Sequence, residues 1–240
     1  ILALGACGGA AAAGAPSRAD PRPAGPALEL VAESRQQWTG VAVDPDGRVF
    51  VSHPRWHGRV PVSVAMLDED GAPRPFPSER WNDWAPGRSL DDHWVAVQSV
   101  TVDARGRLWV LDTGNPRFEG VLDGAPKLVA FDPATGRELR RVAFAAPAVT
   151  PSSYLNDVRV DVDGERAFAT DSGDGALVVV DLASGVARRR LDDHPSTEAP
   201  EDYLVRVDGR AWLRDGAVPR VHADGIALDA AGGVLYFKPL

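Results

Sequence analysis

Apolar and polar residues alternate along four segments of the chain, and the four segments share one internal layout. In each, an alternating run leads into an Asp-x-x-Gly turn, and a second run rich in β-formers follows. Alternation with a period of two is typical of half-buried β-strands. Asp at the first turn position and Gly at the fourth suit a type I turn followed by a residue with positive φ. These predicted hairpins cover residues 40–52, 99–114, 157–173 and 225–240.

A second predicted hairpin follows each of the first three, over residues 62–76, 127–144 and 176–191. Each repeating unit therefore contains four strands. The turn aspartates Asp44, Asp103, Asp161 and Asp229 stand 59, 58 and 68 residues apart. Four-stranded units that recur at this spacing predict the blades of a β-propeller. The predicted fold class is all-β, with about three and a half blades in this chain. We expect further blades after Leu240, because a propeller closes when its last blade meets its first.

The loops at the two ends of the predicted blades differ in length. Turns such as DPDG and DARG are short and stereotyped, whereas residues 52–61, 77–97, 112–126 and 192–223 form long, irregular connections. In a four-stranded meander these two sets lie on opposite faces of the propeller. Long loops on a rigid scaffold are where binding residues concentrate. We therefore predict that a ligand binds on the face that carries the long loops.

One polar residue begins the innermost strand of each unit, five positions before the turn aspartate. These residues are Thr39, Gln98, Asn156 and Asp224. The repeat predicts that they surround the central channel at one level, and convergent polar groups give a pocket its specificity. We predict a small-ligand site formed by Gln98, Asn156, Asp157 and Asp224. Asn156 and Asp224 also offer the oxygen ligands that Ca²⁺ or another divalent metal prefers. Alternatively, these side chains only hydrate a water-filled channel.

The charge balance narrows the choice of partner. Lys and Arg number 26 and Asp and Glu number 34, which gives a net charge of −8. This acidic balance argues against a nucleic-acid partner and against an anionic membrane surface, and it permits a cationic ligand or a metal. Neither H-E-x-x-H nor G-x-S-x-G occurs in the sequence, so zinc-protease and serine-hydrolase functions lack support.

The N-terminal residues predict export. Residues 1–7, Ile-Leu-Ala-Leu-Gly-Ala-Cys, resemble a bacterial lipobox, and Cys7 is the single cysteine of the chain. We predict that residues 1–7 are the remnant of a lipoprotein signal peptide, that Cys7 is lipidated, and that residues 8–28 form a flexible Ala/Gly/Pro tether. Residues 29–240 then form the incomplete propeller. The expected location is the periplasm or the cell surface, with membrane contact only through Cys7. An ordinary cleaved signal would instead give a secreted protein.

Three stretches resemble the yellow/major royal jelly protein family. They are Leu-Trp-Val-Leu-Asp-Thr-Gly at 108–114, the long segment 154–196, and the segment 222–240. The resemblance covers roughly residues 30–240 and implies a six-bladed propeller. It also implies secretion, as in insect members, and a small ligand such as a biogenic amine in the channel.

A weaker similarity connects the chain to the regucalcin/gluconolactonase propellers. There, a Glu from an early blade and Asn and Asp from later blades hold a divalent metal on the axis. Asn156 and Asp224 match ligand-like positions, whereas Thr39 takes the place of the Glu. The alternative function is therefore a metal-dependent lactonase, and the sequence leaves open whether the protein is an enzyme. It also leaves open whether Trp56, Trp81, Trp84 and Trp94 bind a ligand or pack the long loops onto the body.

Overall fold

The structure is a computed structural model, and it describes residues 28–201, 203–214, 216–229, 231 and 233–240. The predicted signal-peptide remnant, the predicted lipidation site Cys7 and all but the last residue of the predicted tether lie outside these residues. The chain divides into two units, 1–31 and 32–240, and every strand lies in the second. Within the described ranges, no helix has the length and hydropathy needed to cross a membrane.

Three four-stranded antiparallel sheets follow one another along the chain, and in each the strand order is the chain order. The first contains β1 (Gly40–Val43), β2 (Val49–Ser52), β3 (Val64–Leu67) and β4 (Pro73–Pro75). The second contains β5 (Val97–Val102), β6 (Leu108–Asp112), β7 (Lys127–Phe131) and β8 (Glu138–Ala143). The third contains β9 (Leu155–Asp161), β10 (Arg166–Asp171), β11 (Ala176–Asp181) and β12 (Ala187–Arg190). The predicted meander of two hairpins per unit is thus confirmed.

Two short hairpins follow the third sheet. The first pairs β13 (Arg206–Val207) with β14 (Arg210–Ala211), and the second pairs β15 (Ala223–Leu228) with β16 (Leu235–Pro239). The second is the predicted opening hairpin of a fourth blade. The first lies inside a predicted irregular connection, where two-residue strands are too short to produce alternation. Helical structure in the described residues is limited to α1 (Glu79–Asn82) and a 3₁₀ turn, Pro116–Phe118.

The innermost strands show how the sheets are arranged. β1 contacts β5, β5 contacts β9, and β9 contacts β15. Each sheet therefore lies beside the next with its first strand on a common inner side, which is the arrangement of a β-propeller. At the first junction the backbones approach closely, since a Cβ on Gly40 would lie 2.8 Å from the amide nitrogen of Val100.

The hydrophobic core lies between neighbouring blades. One cluster, which includes Phe50, Phe76 and Leu108, fills the space between the first and second sheets. Another, which includes Trp109 and Leu155, fills the space between the second and third. The middle strands therefore bury both faces, and all five residues of β6 are buried. This explains why residues 108–111 of this strand are all apolar instead of alternating with polar residues.

The tryptophans of the first interblade connection belong to this core. Trp94 is fully buried and its ring centroid lies 4.3 Å from that of Trp81. The indole of Trp94 donates a hydrogen bond to the carbonyl of Phe76 (3.1 Å). These contacts agree with the alternative that Trp81 and Trp94 pack the long loop onto the body.

Aspartates at the hairpin turns act as local caps. The Asp103 carboxylate accepts hydrogen bonds from the backbone of Arg105 and Arg107 and an ion-pair contact from the Arg107 side chain. Gly106 has a φ of 74°, as predicted for this turn. The third turn differs, because the positive φ falls on Glu165 (48°), one residue after Gly164.

A buried carboxylate ends the second strand of the second blade. Asp112 accepts hydrogen bonds from the amides of Val95 (2.8 Å), Ala96 (2.9 Å) and Gly114 (2.9 Å). Its other partner is the ammonium of Lys127, at 2.9 Å, and both side chains are almost fully buried. Asp112 therefore fixes the loop that leads into β5, and this explains the Asp of the 108–114 motif.

The third blade contains the same arrangement of a buried carboxylate, backbone amides and a cation. Asp171, at the end of β10, accepts hydrogen bonds from the amides of Tyr154 (2.8 Å) and Gly173 (3.0 Å) and pairs with Arg189 (2.6 Å). A Cβ on Gly173 would lie 2.3 Å from the carbonyl oxygen of Ser152, so the chain can pass here only with glycine. The Asp-Thr-Gly and Asp-Ser-Gly sequences are thus the same anchor in two blades.

The Asp112 anchor gives a stability prediction. In an Asp112→Asn variant, Lys127 would be a buried cation without its counter-ion, and one amide acceptor would be lost. We expect the free energy of unfolding to fall by about 3–5 kcal/mol, as measured by urea denaturation. The matched control is Asp163→Asn, whose side chain is 100% exposed, and it should change the value by less than about 0.5 kcal/mol. Equal effects of the two substitutions would contradict the anchor role of Asp112.

Candidate functional site

All four predicted site residues fall on irregularities in the strand pairing, at three places in the fold. Between the pairs Val97–Asp112 and Ser99–Leu111, the strand β5 carries Gln98 as an extra residue. Asp224 is likewise the extra residue of β15, and Asn156 with Asp157 opposes a single residue of β10. Such β-bulges re-aim a side chain and often lie beside functional sites. The bulges turn Gln98, Asn156 and Asp224 toward one space.

That space is a cavity of about 990 Å³ beside the starts of the inner strands, where the sequence predicts the channel mouth. Thr39, Gln98, Asn156 and Asp224 all line it, so the structure brings together the four polar residues that begin the inner strands. The predicted long connections also contribute to the lining, with Trp56, His57, Phe118, Trp212 and Arg214. Tyr154 lines the cavity from the shorter link before β9.

A directed chain of hydrogen bonds crosses the cavity floor. The indole of Trp56 donates to the hydroxyl of Tyr154 (2.7 Å), and this hydroxyl donates to Oε1 of Gln98 (2.8 Å). The amide of Gln98 then donates to Oδ1 of Asn156 (3.0 Å). The Asn156 side chain in turn lies near the Asp224 carboxylate and lowers its pKa. The hydrogen-bond chain fixes which way the Gln98 amide points and ends at Asn156, close to the Asp224 carboxylate.

Asp224 is the unpaired carboxylate of the cavity. Two acidic residues line the cavity, and one of them, Glu119, is exposed and pairs with Arg117. Asp224 forms no ion pair with any residue that the structure describes. Partial burial raises the pKa of Asp224, and the nearby charge of Asp157 raises it further, while Lys238 and Asn156 act in the opposite direction. A partly desolvated carboxylate without a counter-ion favours a cation nearby.

Asp157 of the predicted site, and Thr39 at the equivalent inner-strand position of the first blade, differ in their surroundings from Gln98, Asn156 and Asp224. Asp157 does not line the cavity, and its carboxylate accepts hydrogen bonds from Ser99 (2.6 Å) and Arg159 (2.8 Å). It acts on the cavity through its charge on Asp224. Thr39 lines the cavity, but its hydroxyl donates to the backbone carbonyl of Gln98 (2.6 Å). Direct ligand contact by Asp157 stays a prediction.

An aromatic wall stands beside the polar floor. The sequence leaves open whether Trp56 contacts a ligand, and the predicted site does not include Phe118, Tyr154 or Arg214. The rings of Phe118 and Tyr154 stack with centroids 4.6 Å apart, and Trp56 lies 6.2 Å from Phe118. The guanidinium of Arg214 lies 4.4 Å from the centroid of Phe118. Tyr154 immediately precedes the inner strand β9. This position in the repeat is the sequence signal from which Tyr154 could have been predicted to line the site. Phe118 and Arg214 are brought in by long connections, which carry no repeat.

The predicted metal site remains a prediction. Asn156 and Asp224 do lie side by side. In the described part of the chain, however, no group of three or more His, Cys, Asp or Glu side chains is placed to hold a metal ion. The cavity therefore offers two of the oxygen-bearing side chains expected of a Ca²⁺ site, together with aromatic surface.

Comparison with known sequences points to one family. The family model described as Major royal jelly protein matches residues 95–240 of this chain. Protein yellow of Drosophila yakuba is 29% identical over 141 residues, which cover 54% of this chain and 26% of the fly protein. Protein yellow of Drosophila melanogaster is 28% identical over 141 residues, with the same coverage of both chains. The matched segment thus spans about a quarter of these relatives.

Solved structures resemble the chain more distantly. Virginiamycin B lyase from Staphylococcus aureus is 12% identical, with a TM-score of 0.48 over 87% of this chain and 51% of that protein. A protein of unknown function from Bacteroides caccae is also 12% identical, with a TM-score of 0.45 over 83% of this chain and 52% of that protein.

The hydrogen-bond chain of the cavity floor gives a second stability prediction. In a Tyr154→Phe variant, the indole N–H of Trp56 loses its acceptor and Oε1 of Gln98 loses its donor. We expect the free energy of unfolding to fall by about 1–3 kcal/mol in urea denaturation. Tyr236→Phe is the control, since Tyr236 is 62% exposed and its hydroxyl should contribute less than about 0.5 kcal/mol. An unchanged stability for Tyr154→Phe would mean that the hydroxyl does not bridge the two side chains.

Proposed function

We propose that this chain, which belongs to the major royal jelly protein family, binds a small organic cation in the channel-mouth cavity. One observation carries the proposal. The cavity combines the unpaired, partly buried carboxylate of Asp224 with an aromatic wall. An aromatic or aliphatic amine has the matching chemistry, because it offers a cation and an apolar body.

The carboxylate supplies the charged end of the proposed site. Asn156 lies near Asp224, and its side-chain oxygen accepts a hydrogen bond from Gln98, so the floor has a fixed orientation before a ligand arrives. A carboxylate oxygen can accept further hydrogen bonds, and an ammonium group has three N–H donors. Charge-assisted hydrogen bonds of this kind contribute about 1.5–3 kcal/mol each.

The aromatic wall supplies the apolar end. Phe118 and Tyr154 are already stacked on each other, and Trp56 is tied to Tyr154 by its indole hydrogen bond. A cation over such a ring contributes about 0.5–2 kcal/mol, and a flat ligand can stack on it. Because these side chains are held in place without a ligand, little conformational entropy is lost on binding.

Isothermal titration calorimetry with tryptamine tests the proposed site. Asp224→Asn keeps the shape of the side chain and removes its charge, and we expect the affinity for tryptamine to fall at least about tenfold. Asp163→Asn makes the same charge change on an exposed side chain and should leave the affinity within about twofold.

The neutral analogue tryptophol separates charge from shape. Wild-type protein should bind tryptamine more tightly than tryptophol, and Asp224→Asn should lose that preference. If wild-type protein binds neither compound, or if Asp224→Asn retains the preference for the amine, the proposal is wrong.

The raised pKa of Asp224 gives a pH dependence. An amine is attracted only by the ionised carboxylate, so its affinity should fall as the pH decreases through the raised pKa of Asp224. The fall should therefore begin above the usual range of an aspartate, which is centred near about pH 3.9. Titrations from neutral pH down to about pH 3.9 should show it in wild-type protein. A comparable fall in Asp224→Asn would assign the pH dependence to another group.

A further inference from the structure

Arg55 is a buried cation in the long connection between β2 and β3. It is 8% exposed, and its Nε donates a hydrogen bond to the carbonyl of Val95 (2.7 Å). Its guanidinium lies 5.1 Å from the ring centroid of Trp84. Trp84 itself packs against a small apolar cluster that contains Val95 and Ala125. The charge of Arg55 therefore lies in largely apolar surroundings.

Arg55 differs from the other buried charged residues in its partners. Among the described residues, every other buried Asp, Lys or Arg forms an ion pair: Asp44 with Arg48, Asp103 with Arg107, Asp112 with Lys127, and Asp171 with Arg189. Arg55 is in none of the ion pairs formed within the same described residues. Asp112 is close enough to influence it, but that carboxylate is bound to Lys127.

Two N–H groups at this place have no acceptor in the described protein. They are Nη2 of Arg55 and Nε1 of Trp84, and both atoms are shielded from solvent. A buried donor without an acceptor costs about 1–3 kcal/mol, and an unpaired buried charge costs more. Burial lowers the pKa of Arg55 and Arg117 lowers it further, while the charge of Asp112 acts in the opposite direction. A guanidinium nevertheless stays protonated in proteins, so the charge cannot be lost by titration.

We propose that a small monovalent anion of the chloride class binds between the guanidinium of Arg55 and the indole N–H of Trp84. Both groups donate hydrogen bonds through N–H, and neither can accept a hydrogen bond, so they suit an anion and not a cation. The single negative charge of such an anion balances the positive charge of Arg55, which lacks an ion-pair partner among the described residues. The anion would hold the loop that carries Arg55 against the connection that carries Trp84. This site lies apart from Asp224 and does not depend on the proposed amine binding.

Thermal unfolding at constant ionic strength tests the site. Chloride replaces gluconate, which is far larger, so that screening of surface charges stays the same. We expect the melting temperature of the wild-type chain to rise by about 2–4 °C in a saturable way, because the anion binds only the folded state. A parallel titration with formate shows whether a small carboxylate occupies the site as well as a halide.

Two variants and one control assign the effect to the two donors. Arg55→Met removes the charge and should abolish the chloride dependence, with a melting temperature in gluconate no lower than that of wild-type protein. Trp84→Phe keeps an aromatic ring and removes the indole N–H. It should raise the chloride concentration at the midpoint of the stabilisation at least about threefold. Arg117→Met removes a nearby exposed guanidinium that pairs with Glu119 and should leave the dependence unchanged.

The proposal fails if chloride and formate do not change the melting temperature of wild-type protein relative to gluconate. It also fails if Arg55→Met or Trp84→Phe retains the full dependence. If Arg55→Met does not fold, the comparison between Trp84→Phe and Arg117→Met decides the question.

Discussion

The rest of the structure depends on the hydrogen bonds and the ion pair of a buried aspartate that ends the second strand of a blade. Asp112 and Asp171 each accept backbone hydrogen bonds from the segment that enters the innermost strand of the same blade. Each also neutralises a cation from an outer strand. A buried carboxylate is tolerable only with such a full set of partners. Because Gln98 follows the first of these segments and Tyr154 lies in the second, these anchors set the positions of the cavity floor.

Contacts between blades then convert separate sheets into one site. The hydrogen-bond chain from Trp56 through Tyr154 and Gln98 to Asn156 joins side chains from three successive blades. β-Bulges aim the inner-strand side chains toward the axis, where regular alternation would direct only every second residue. The same interblade packing buries Trp94 and gives Arg55 its apolar surroundings. Binding chemistry in this fold is therefore a property of the junctions between blades.

Much of this arrangement could be predicted, and the failures have definite physical causes. The Asp-x-x-Gly turns and the alternation placed Gln98, Asn156 and Asp224 at one level, and all three line the cavity. Asp157 was predicted as a neighbour of the ligand, but the two residues that oppose Thr170 at the bulge have different surroundings, and Asp157 bonds to Ser99 and Arg159. Phe118 and Arg214 escaped prediction because the connections that carry them follow no period.

The sequence by itself determined the repeat, the strand pairs, the turns and the polar identity of the inner positions. These features are local, since a strand period of two and a turn type depend on residues within a few positions of one another. Only the tertiary structure decided which polar groups meet, which of them are satisfied by protein partners, and which charge is left unpaired. Those outcomes depend on contacts between residues more than forty positions apart, such as Trp56 with Tyr154 and Gln98 with Asn156. Burial and neighbouring charges shift the pKa values of Asp224 and Arg55, and both arise only when the blades pack together.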